Sequence, residues 1–499
     1  MKKLVVAIVM TGLLLPELAY SQYRKKGEEE VRTDVQILLK EADSSEEPLV
    51  ITLDQALQIA LSENVSVKVA DKEIERTGFA KKGTYASLFP QIDISGAYQR
   101  TIKKQVMYMD FDMSSIGGGM PGGDGETGEG SSDTPSDTPS AGGMDTSGGL
   151  EVGRWNTWSA GLTAAMPVIN AQLWKSIRIS GLDVELAVEK ARASRLDMVT
   201  QVKQAYFSTL LAKEAFNVYK EVYENAVKNY EETQKKYNVQ KASELDLTRA
   251  KTTVANAVPN VYNAESSVIL SLWQLKAILG VDLDANIDVA GVLEDHSEHM
   301  FYDIHQHDSV SLENNTTMKQ LAIQAEQLAQ TVKMQKYAYI PTLAAQFSFS
   351  MNAMTNDFNF SQYRWTPYSY VGVSLSIPIF SGGKRLNDVR QAKNRYSQVQ
   401  LQTMDTERNL KIAIRQSLNT METNMKSYYA AKEAVSTAQK GYDIAERSYQ
   451  VGRSTLIELN DAQLALTQAK LSESQAIYNF IIAKSQLEQT LGNDFITEE

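Results

Sequence analysis

The chain has 499 residues, no cysteine and a formal net charge of −11, from 50 Lys and Arg against 61 Asp and Glu. Lack of cysteine excludes disulfides, thiolate metal sites, cysteine nucleophiles and lipid attachment at a mature N-terminal cysteine, and the acidic balance argues against nucleic acid, which calls for a basic face. Gly382-Gly383-Lys384-Arg385 lacks the spacing and hydroxyl residue of a phosphate-binding loop, and no His-Glu-x-x-His or Gly-x-Ser-x-Gly motif occurs, so neither catalysis nor a cofactor is expected.

At the start, Met1-Lys2-Lys3, an apolar run from Leu4 to Leu15 and the small-residue ending Ala19-Tyr20-Ser21 mark residues 1–21 as a secretory signal peptide. The alternative, a membrane anchor, would need about 20 apolar residues, more than the run supplies. Residues 22–49 form a charged leader expected to be flexible. Order is expected from Thr52, where Thr52-Leu53-Asp54-Gln55 has the form of a helix start. Repeat 1 covers 50–290, a connector 291–310 and repeat 2 311–499; Ser311-Leu312-Glu313 is expected to open repeat 2 as Thr52 opens repeat 1.

After Pro90 the period falls from helical to two: Ile92, Ile94, Gly96 and Tyr98 alternate with Asp93, Ser95, Ala97 and Gln99. The same happens after Pro341, through Leu343, Ala345, Phe347, Phe349 and Met351. Returning strands run through Trp158, Ala160, Leu162, Ala164 and Met166, and through Val371, Val373, Leu375 and Ile377. One face of each strand is apolar and the other wet, a pattern that fits a β-sandwich as well as a membrane barrel. Four strands cannot close a barrel, for which about eight are needed, and open edges are not tolerated in lipid. A barrel would therefore draw on several chains. Between the first two strands lies an insertion, 117–149, with six acids, no Lys or Arg and many Gly and Ser. It is expected to be a solvated hairpin loop; a calcium-binding glycine repeat is the sharper alternative, but no period is kept. Met107, Met109, Met113, Met120 and Met144 suit strand-end packing as well as soft-metal handling.

A long amphipathic helix follows each second strand. The first has apolar residues at three and four from Leu182 through Val199, Tyr206, Leu210 and Val227 to Tyr230; the second runs from Val389 through Ile412, Leu418 and Tyr428 to Tyr449. The first covers some 55 residues, which at ~1.5 Å each make roughly 80 Å. A shorter helix returns from each, through Leu245, Val254 and Leu279 or Leu456, Leu464 and Ile481, giving antiparallel coiled-coil pairs. Pro259 is expected to kink or break the first return helix.

The landmarks recur at fixed distance. Pro167-Val168-Ile169 returns as Pro378-Ile379-Phe380, Tyr237-Asn238-Val239-Gln240 as Tyr449-Gln450-Val451-Gly452, and Leu279-Gly280 as Leu491-Gly492 (492 − 280 = 212). Pro90 and Pro341 lie further apart (341 − 90 = 251), because the insertion falls between Pro90 and Pro167. The chain is thus a duplicated unit.

Together, the early-proline segments, Pro378-Ile379-Phe380-Ser381-Gly382-Gly383 and above all Tyr449-Gln450-Val451-Gly452-Arg453-Ser454-Thr455-Leu456-Ile457-Glu458-Leu459-Asn460-Asp461-Ala462 resemble the TolC-like outer-membrane efflux family, from about Thr52 to Gly492. The resemblance implies a mainly α fold with β, in which a homotrimer forms a twelve-strand barrel in outer-membrane lipid, continuing into a twelve-helix periplasmic coiled-coil tunnel. It implies an exit duct of a tripartite efflux or type I secretion system, with a periplasmic adaptor and an inner-membrane pump as partners. The runner-up is an envelope-spanning coiled-coil scaffold or adhesin without a pore.

The family's adaptor-docking tips fall on Tyr237, Val239 and Gln240 in the first repeat and on Tyr449, Val451, Gly452, Arg453 and Ser454 in the second. Gln240 stands where the second copy has Gly452, a departure from the pattern. The family's acidic constriction falls on Asp246, Glu458 and Asp461, with Arg249 where Asp461 has its counterpart, which allows a gate salt bridge and a ring less acidic than in relatives. Read without the family, the same residues are a solvated helix face. All four histidines, His296, His299, His305 and His307, lie in or beside the connector among Glu294, Asp295, Glu298, Asp303 and Asp308. Such a set can bind zinc or copper, and it also suits a solvated connector.

Overall fold

A computed structural model describes residues 48–107, 150–297, 300 and 311–493. The signal peptide, nearly all of the leader, the 117–149 insertion and His299, His305 and His307 lie outside the described residues. The chain divides into a helical unit (residues up to Thr84, Trp174–Tyr337 and from Gly382 on) and a strand unit (Tyr85–Leu173 and Ala338–Ser381). Each draws on both sequence repeats.

The strand unit holds β2 (Gln91–Arg100), β3 (Gln105–Met107), β4 (Leu150–Val152), β5 (Asn156–Ile169), β7 (Thr342–Thr355) and β8 (Thr366–Ser376). Four of them form one antiparallel sheet in the order β2-β5-β7-β8, while β3 and β4 pair beside it. The register places Ile94 opposite Leu162, Leu162 opposite Phe349, and Phe347 opposite Val371. Because partners across a ladder share a face, the alternating residues merge into one continuous apolar surface. Ile94, Val371, Val373 and Leu375 on it are 62–83% exposed. The reverse face carries Asp93, Thr163, Ser348 and Ser374. Pro167, which has no N–H to give the ladder, sits at a register shift between Pro167 and Ile169. Among the described residues, β2 and β8 pair on one side only.

The helical unit holds β1 (Leu49–Ile51), α1 (Leu53–Glu63), α2 (Val65–Ala86), α3 (Ala171–Asn238), α4 (Glu244–Leu279), β6 (Ile287–Val289), α5 (Thr316–Tyr337), α6 (Lys384–Gln450) and α7 (Leu456–Leu491), with the ends of α2 and α3 reaching into the strand unit's residues. At 68 and 67 residues, α3 and α6 each span about 100 Å. Their length comes from the unbroken three-and-four apolar spacing. The core gathers Ile59, Leu275, Leu279, Met421, Phe480 and Leu487. The first long helix starts eleven residues before Leu182, and Gly181 does not interrupt it. Nor does Pro259 break α4, which continues through it from Glu244 to Leu279. Losing one amide from the ladder is tolerated where the flanking turns keep theirs.

Two further expectations change. Order begins before Thr52, because β1 pairs in parallel with β6, Leu49 to Ile287 and Ile51 to Val289. The buried Tyr206 hydroxyl donates to the Ala290 carbonyl at 2.7 Å, with the Ile51 carbonyl at 3.2 Å, and so anchors both strand ends to α3. Thr52 does start a helix, with a reciprocal capping box to Gln55, but Ser311 does not: the repeat 2 helix starts at Thr316, matching α2 at Val65 rather than α1.

One asparagine precedes each of those two helices. Asn64 accepts from the Ser66 amide at 2.7 Å and donates to the Ile278 carbonyl at 2.7 Å; Asn315 accepts from the Met318 amide at 2.9 Å and donates to the Thr490 carbonyl at 2.6 Å. A carboxamide alone offers acceptor and donor on one short fork, so it can join a helix start to the end of α4 or α7. Those ends turn on Gly280 and Gly492, both left-handed. A Cβ on Gly492 would lie 2.2 Å from the Asn314 carbonyl oxygen, whereas one on Gly280 would meet nothing nearer than 3.1 Å. Gly492→Ala should therefore destabilise by more than ~3 kcal/mol and Gly280→Ala by about 1–2 kcal/mol, strain alone accounting for about 1. Thermal unfolding followed by far-UV circular dichroism checks the order, and equal losses would show that the clash relaxes.

Candidate functional site at the helix tips

Both long helices end in the same backbone turn. The Lys241 amide donates to the Lys236 carbonyl and the Arg453 amide to the Ser448 carbonyl, each at 2.8 Å; the Gln240 and Gly452 amides donate to the Tyr237 and Tyr449 carbonyls at 2.8 and 3.1 Å. Gly452 has φ 77°, and Gln240 holds φ 58°, the one non-glycine residue with positive φ among the described residues. Departure from glycine thus leaves the turn's shape intact, at a cost of about 1 kcal/mol. Val239 and Val451 at the two turns are 63% and 70% exposed.

The return helices begin with matching caps. Ser243 Oγ accepts from the Asp246 amide at 3.1 Å and donates to Asp246 Oδ2 at 2.7 Å, and the Ser243 amide reaches Oδ2 at 3.3 Å. Thr455 Oγ1 accepts from the Glu458 amide at 3.3 Å, and the Thr455 amide donates to Glu458 Oε2 at 3.0 Å. Each carboxylate closes a capping box and lies in the positive first turn of its helix. Two of the three expected constriction acids therefore have a local structural task as well. Asp461, one turn on, and Arg249 are exposed. Among the described residues no ion pair within the chain involves Arg249.

Packing draws the two tips together. Ala250 of α4 joins Tyr442, Tyr449, Leu456, Leu459 and Leu466 in one buried cluster, and Asn460 donates to Thr253 Oγ1 at 3.2 Å. Tyr449 is its hub. Its hydroxyl shares a buried hydrogen bond of 2.6 Å with Thr233, its carbonyl accepts from Lys236 Nζ at 3.1 Å, and the same ammonium lies 4.5 Å from its ring centre. Burial, then the Glu446 charge, pushes the Tyr442 hydroxyl up to about 12, so this core stays neutral through the physiological range. Tyr442 falls on the apolar spacing of the second long helix, whereas Thr233 and Lys236 carry no such mark in the sequence. Their signal lies in the repeat: the positions 212 residues beyond Thr233 and Lys236 are Ala445 and Ser448, so only one of the two tip tyrosines has these partners. Tyr237 accordingly stays 38% exposed, against 8% for Tyr449.

His296 lies in a short 3-10 turn, exposed, with its ring edge-on to Phe207 at 4.9 Å. Among the described residues no three His, Asp or Glu side chains are grouped to hold a metal.

Tyr449→Phe should cost about 1 kcal/mol at the tip, since Thr233 keeps its bond to the Asn229 carbonyl, and Tyr449→Ala about 3–5 kcal/mol. Hydrogen exchange of the last α6 amides should speed up about fivefold in the first case. Tyr237→Phe should leave exchange at its own tip unchanged; an equal effect there would refute the asymmetry.

The chain matches the model of the family described as outer membrane efflux protein over residues 56–281 and 309–493. It is 22% identical over 349 residues to the outer membrane protein TolC of Escherichia coli, covering 68% of this chain and 70% of that one. To the alkaline protease secretion protein AprF of Pseudomonas aeruginosa it is 20% identical over 340 residues, covering 67% and 69%. Its fold is similar to that of the Campylobacter jejuni CmeC outer membrane channel (TM-score 0.65, 18% identity, 88% and 85% covered) and of CusC (TM-score 0.65, 16% identity, 90% and 92% covered). Over four-fifths of its length, in both repeats, the chain belongs to the outer membrane efflux protein family: it is a passive channel protein of the outer membrane and not an enzyme.

Proposed function

We propose that three copies of the chain build one exit duct: a twelve-strand barrel in outer-membrane lipid and a twelve-helix periplasmic tunnel. The observation that carries this reading is the continuous apolar face of the four-strand sheet, backed by a polar face and flanked by two open edges. Such a sheet suits a wall between lipid and water, and its edges need strands from elsewhere. Duplication supplies a template for the seam. Within the chain, the second strand of one hairpin pairs with the first strand of the next, β5 with β7; β8 can meet a neighbour's β2 in the same sense.

Cargo reaches this duct from an inner-membrane pump through a periplasmic adaptor, docked on the tips that carry Tyr237, Val239, Gln240, Tyr449, Val451, Gly452, Arg453 and Ser454. Exposed valines at both turns offer the adaptor an apolar contact. Asp246, Glu458 and Asp461 form the constriction, with Arg249 among them. Relatives carry names as different as alkaline protease secretion and cobalt-zinc-cadmium resistance. Cargo on this reading is set by the pump, and the duct only conducts.

Because alanine would also remove two caps, charge is best tested with Asp246→Asn, Glu458→Gln and Asp461→Asn, which keep a hydrogen-bonding group. In planar bilayers the wild type should conduct with preference for cations. The triple variant should lose that preference several-fold, leak more and resist block by trivalent cations, with thermal stability within about 0.5 kcal/mol. Unchanged selectivity and block would reject the constriction; no conductance from the wild type would reject the duct.

A further inference from the structure

Cations in the strand unit are confined to one rim. Among its described residues every Lys and Arg, namely Arg100, Lys103, Lys104, Arg154 and Arg364, lies at the hairpin-turn end of the sheet, where Asp357 also lies; in sequence the acid-rich 117–149 insertion joins the strands at this same end. Toward the opposite end, where the chain enters and leaves the strands, no charge occurs from Tyr85 to Ile92, from Asn156 to Leu173, or from Trp365 to Ser381; Asp93 follows on β2, and the next cations outward are Lys82, Lys175, Lys336 and Lys384. Position along β2 shows how the rim relates to the apolar face: Ile92, Ile94, Tyr98 and Arg100 share one side, so the apolar column ends in a guanidinium.

Aromatic rings separate the two zones. Tyr98 and Trp158 stack at 4.3 Å between centroids, Phe360 meets Trp158 at 5.0 Å, and Lys104 Nζ lies 4.8 Å from the Trp155 ring centre. Rings with one apolar and one polar end, followed by ammonium and guanidinium groups, match the passage from hydrocarbon through the interface to charged headgroups. Toward the hairpin-turn end of β2, β5 and β8 the order is the same: apolar side chains, then aromatic rings, then a cation, Arg100, Arg154 or Arg364.

We propose that this rim is a binding surface for phosphate-bearing lipid headgroups, taking anionic lipids from the leaflet that surrounds the hairpin-turn end. The inference rests on the reading of the sheet as a membrane wall and adds a ligand to it. Arg100 and Arg154 supply forked donors suited to phosphate oxygens, and Lys103 and Lys104 supply point charges beside them. Asp357 sits on the same rim but turns its carbonyl to Asn156, Thr355 and Tyr363, bracing the loop that leads to Arg364.

The test uses full-length protein purified and stripped of lipid in an uncharged detergent, with bound lipids counted by native mass spectrometry during titration with phosphatidylglycerol or phosphatidylcholine. The wild type should retain phosphatidylglycerol at least about tenfold more tightly, an order set by about 1 kcal/mol per surface cation. The preference should fall with added salt. R100Q/K103Q/K104Q/R154Q should lose it, K103R/K104R should keep it, and inorganic phosphate should not displace the lipid. Equal affinity for the two lipids, a preference that survives in the quadruple variant, or displacement by phosphate alone would overturn the proposal. Bilayer conductance of the same samples separates the two levels. A wild type that conducts without lipid preference rejects the rim alone, and one that neither inserts nor conducts rejects the wall beneath it.

Discussion

A backbone amide or carbonyl that faces hydrocarbon without a partner costs several kcal/mol, and the sheet presents such groups along the outer edges of β2 and β8. This constraint organises the chain. On the proposed reading the exposed side chains of Ile94, Val371 and Leu375 meet lipid, which a lone hairpin pair cannot enter without leaving two rows of polar groups unmet. Only closure removes the conflict, and four strands are too few to close. On the proposed reading, association of copies is therefore the condition for the sheet to lie in lipid.

The internal repeat lets one solution serve twice, and its divergences show where the two copies have different tasks. Asn64 with Ile278 and Asn315 with Thr490 are the same clamp in both halves, as expected of a scaffold that must hold helix ends equally. At the tips the backbone is again the same, yet the side chains are not. Tyr449 is tied to Thr233 and Lys236 while Tyr237 stays open. Scaffold positions keep the repeat; tip positions break it.

Much of this was legible in the residues. Period-two runs marked the four long strands, three-and-four spacing marked the helices, and Tyr237 to Gln240 against Tyr449 to Gly452 marked the tips. The β1–β6 pair was not, because three-residue strands leave too little pattern and their partners lie far apart in the chain. Pro259 does not break α4, which continues through it despite one missing backbone hydrogen bond. Gln240 departs from the glycine pattern but not from the turn, because a left-handed residue costs only about 1 kcal/mol when the flanking helices dictate the geometry. The Tyr449–Thr233 bond spans 216 residues and has no local signature. By contrast, Ser243-x-x-Asp246 and Thr455-x-x-Glu458 were visible as capping boxes, but attention to their charge hid that task.

Charge and capping belong together at these positions. A carboxylate bound by the amide of its own N-cap residue cannot swing away, so Asp246 and Glu458 carry fixed negative charge at the helix starts and need no reorganisation to meet a cation. One turn on, the copies differ. Asp461 adds to the charge of Glu458 and Arg453 offsets one of the two, while Lys241 and Arg249 balance Glu244 and Asp246, leaving the second tip more negative than the first. In a ring of three chains these would alternate around the opening. On the proposed reading the two kinds of tip thereby offer a docking partner different electrostatic environments. The conserved backbone turn and the diverged charges thus work at different levels: the turn keeps all tips alike in shape, and the side chains make them distinguishable.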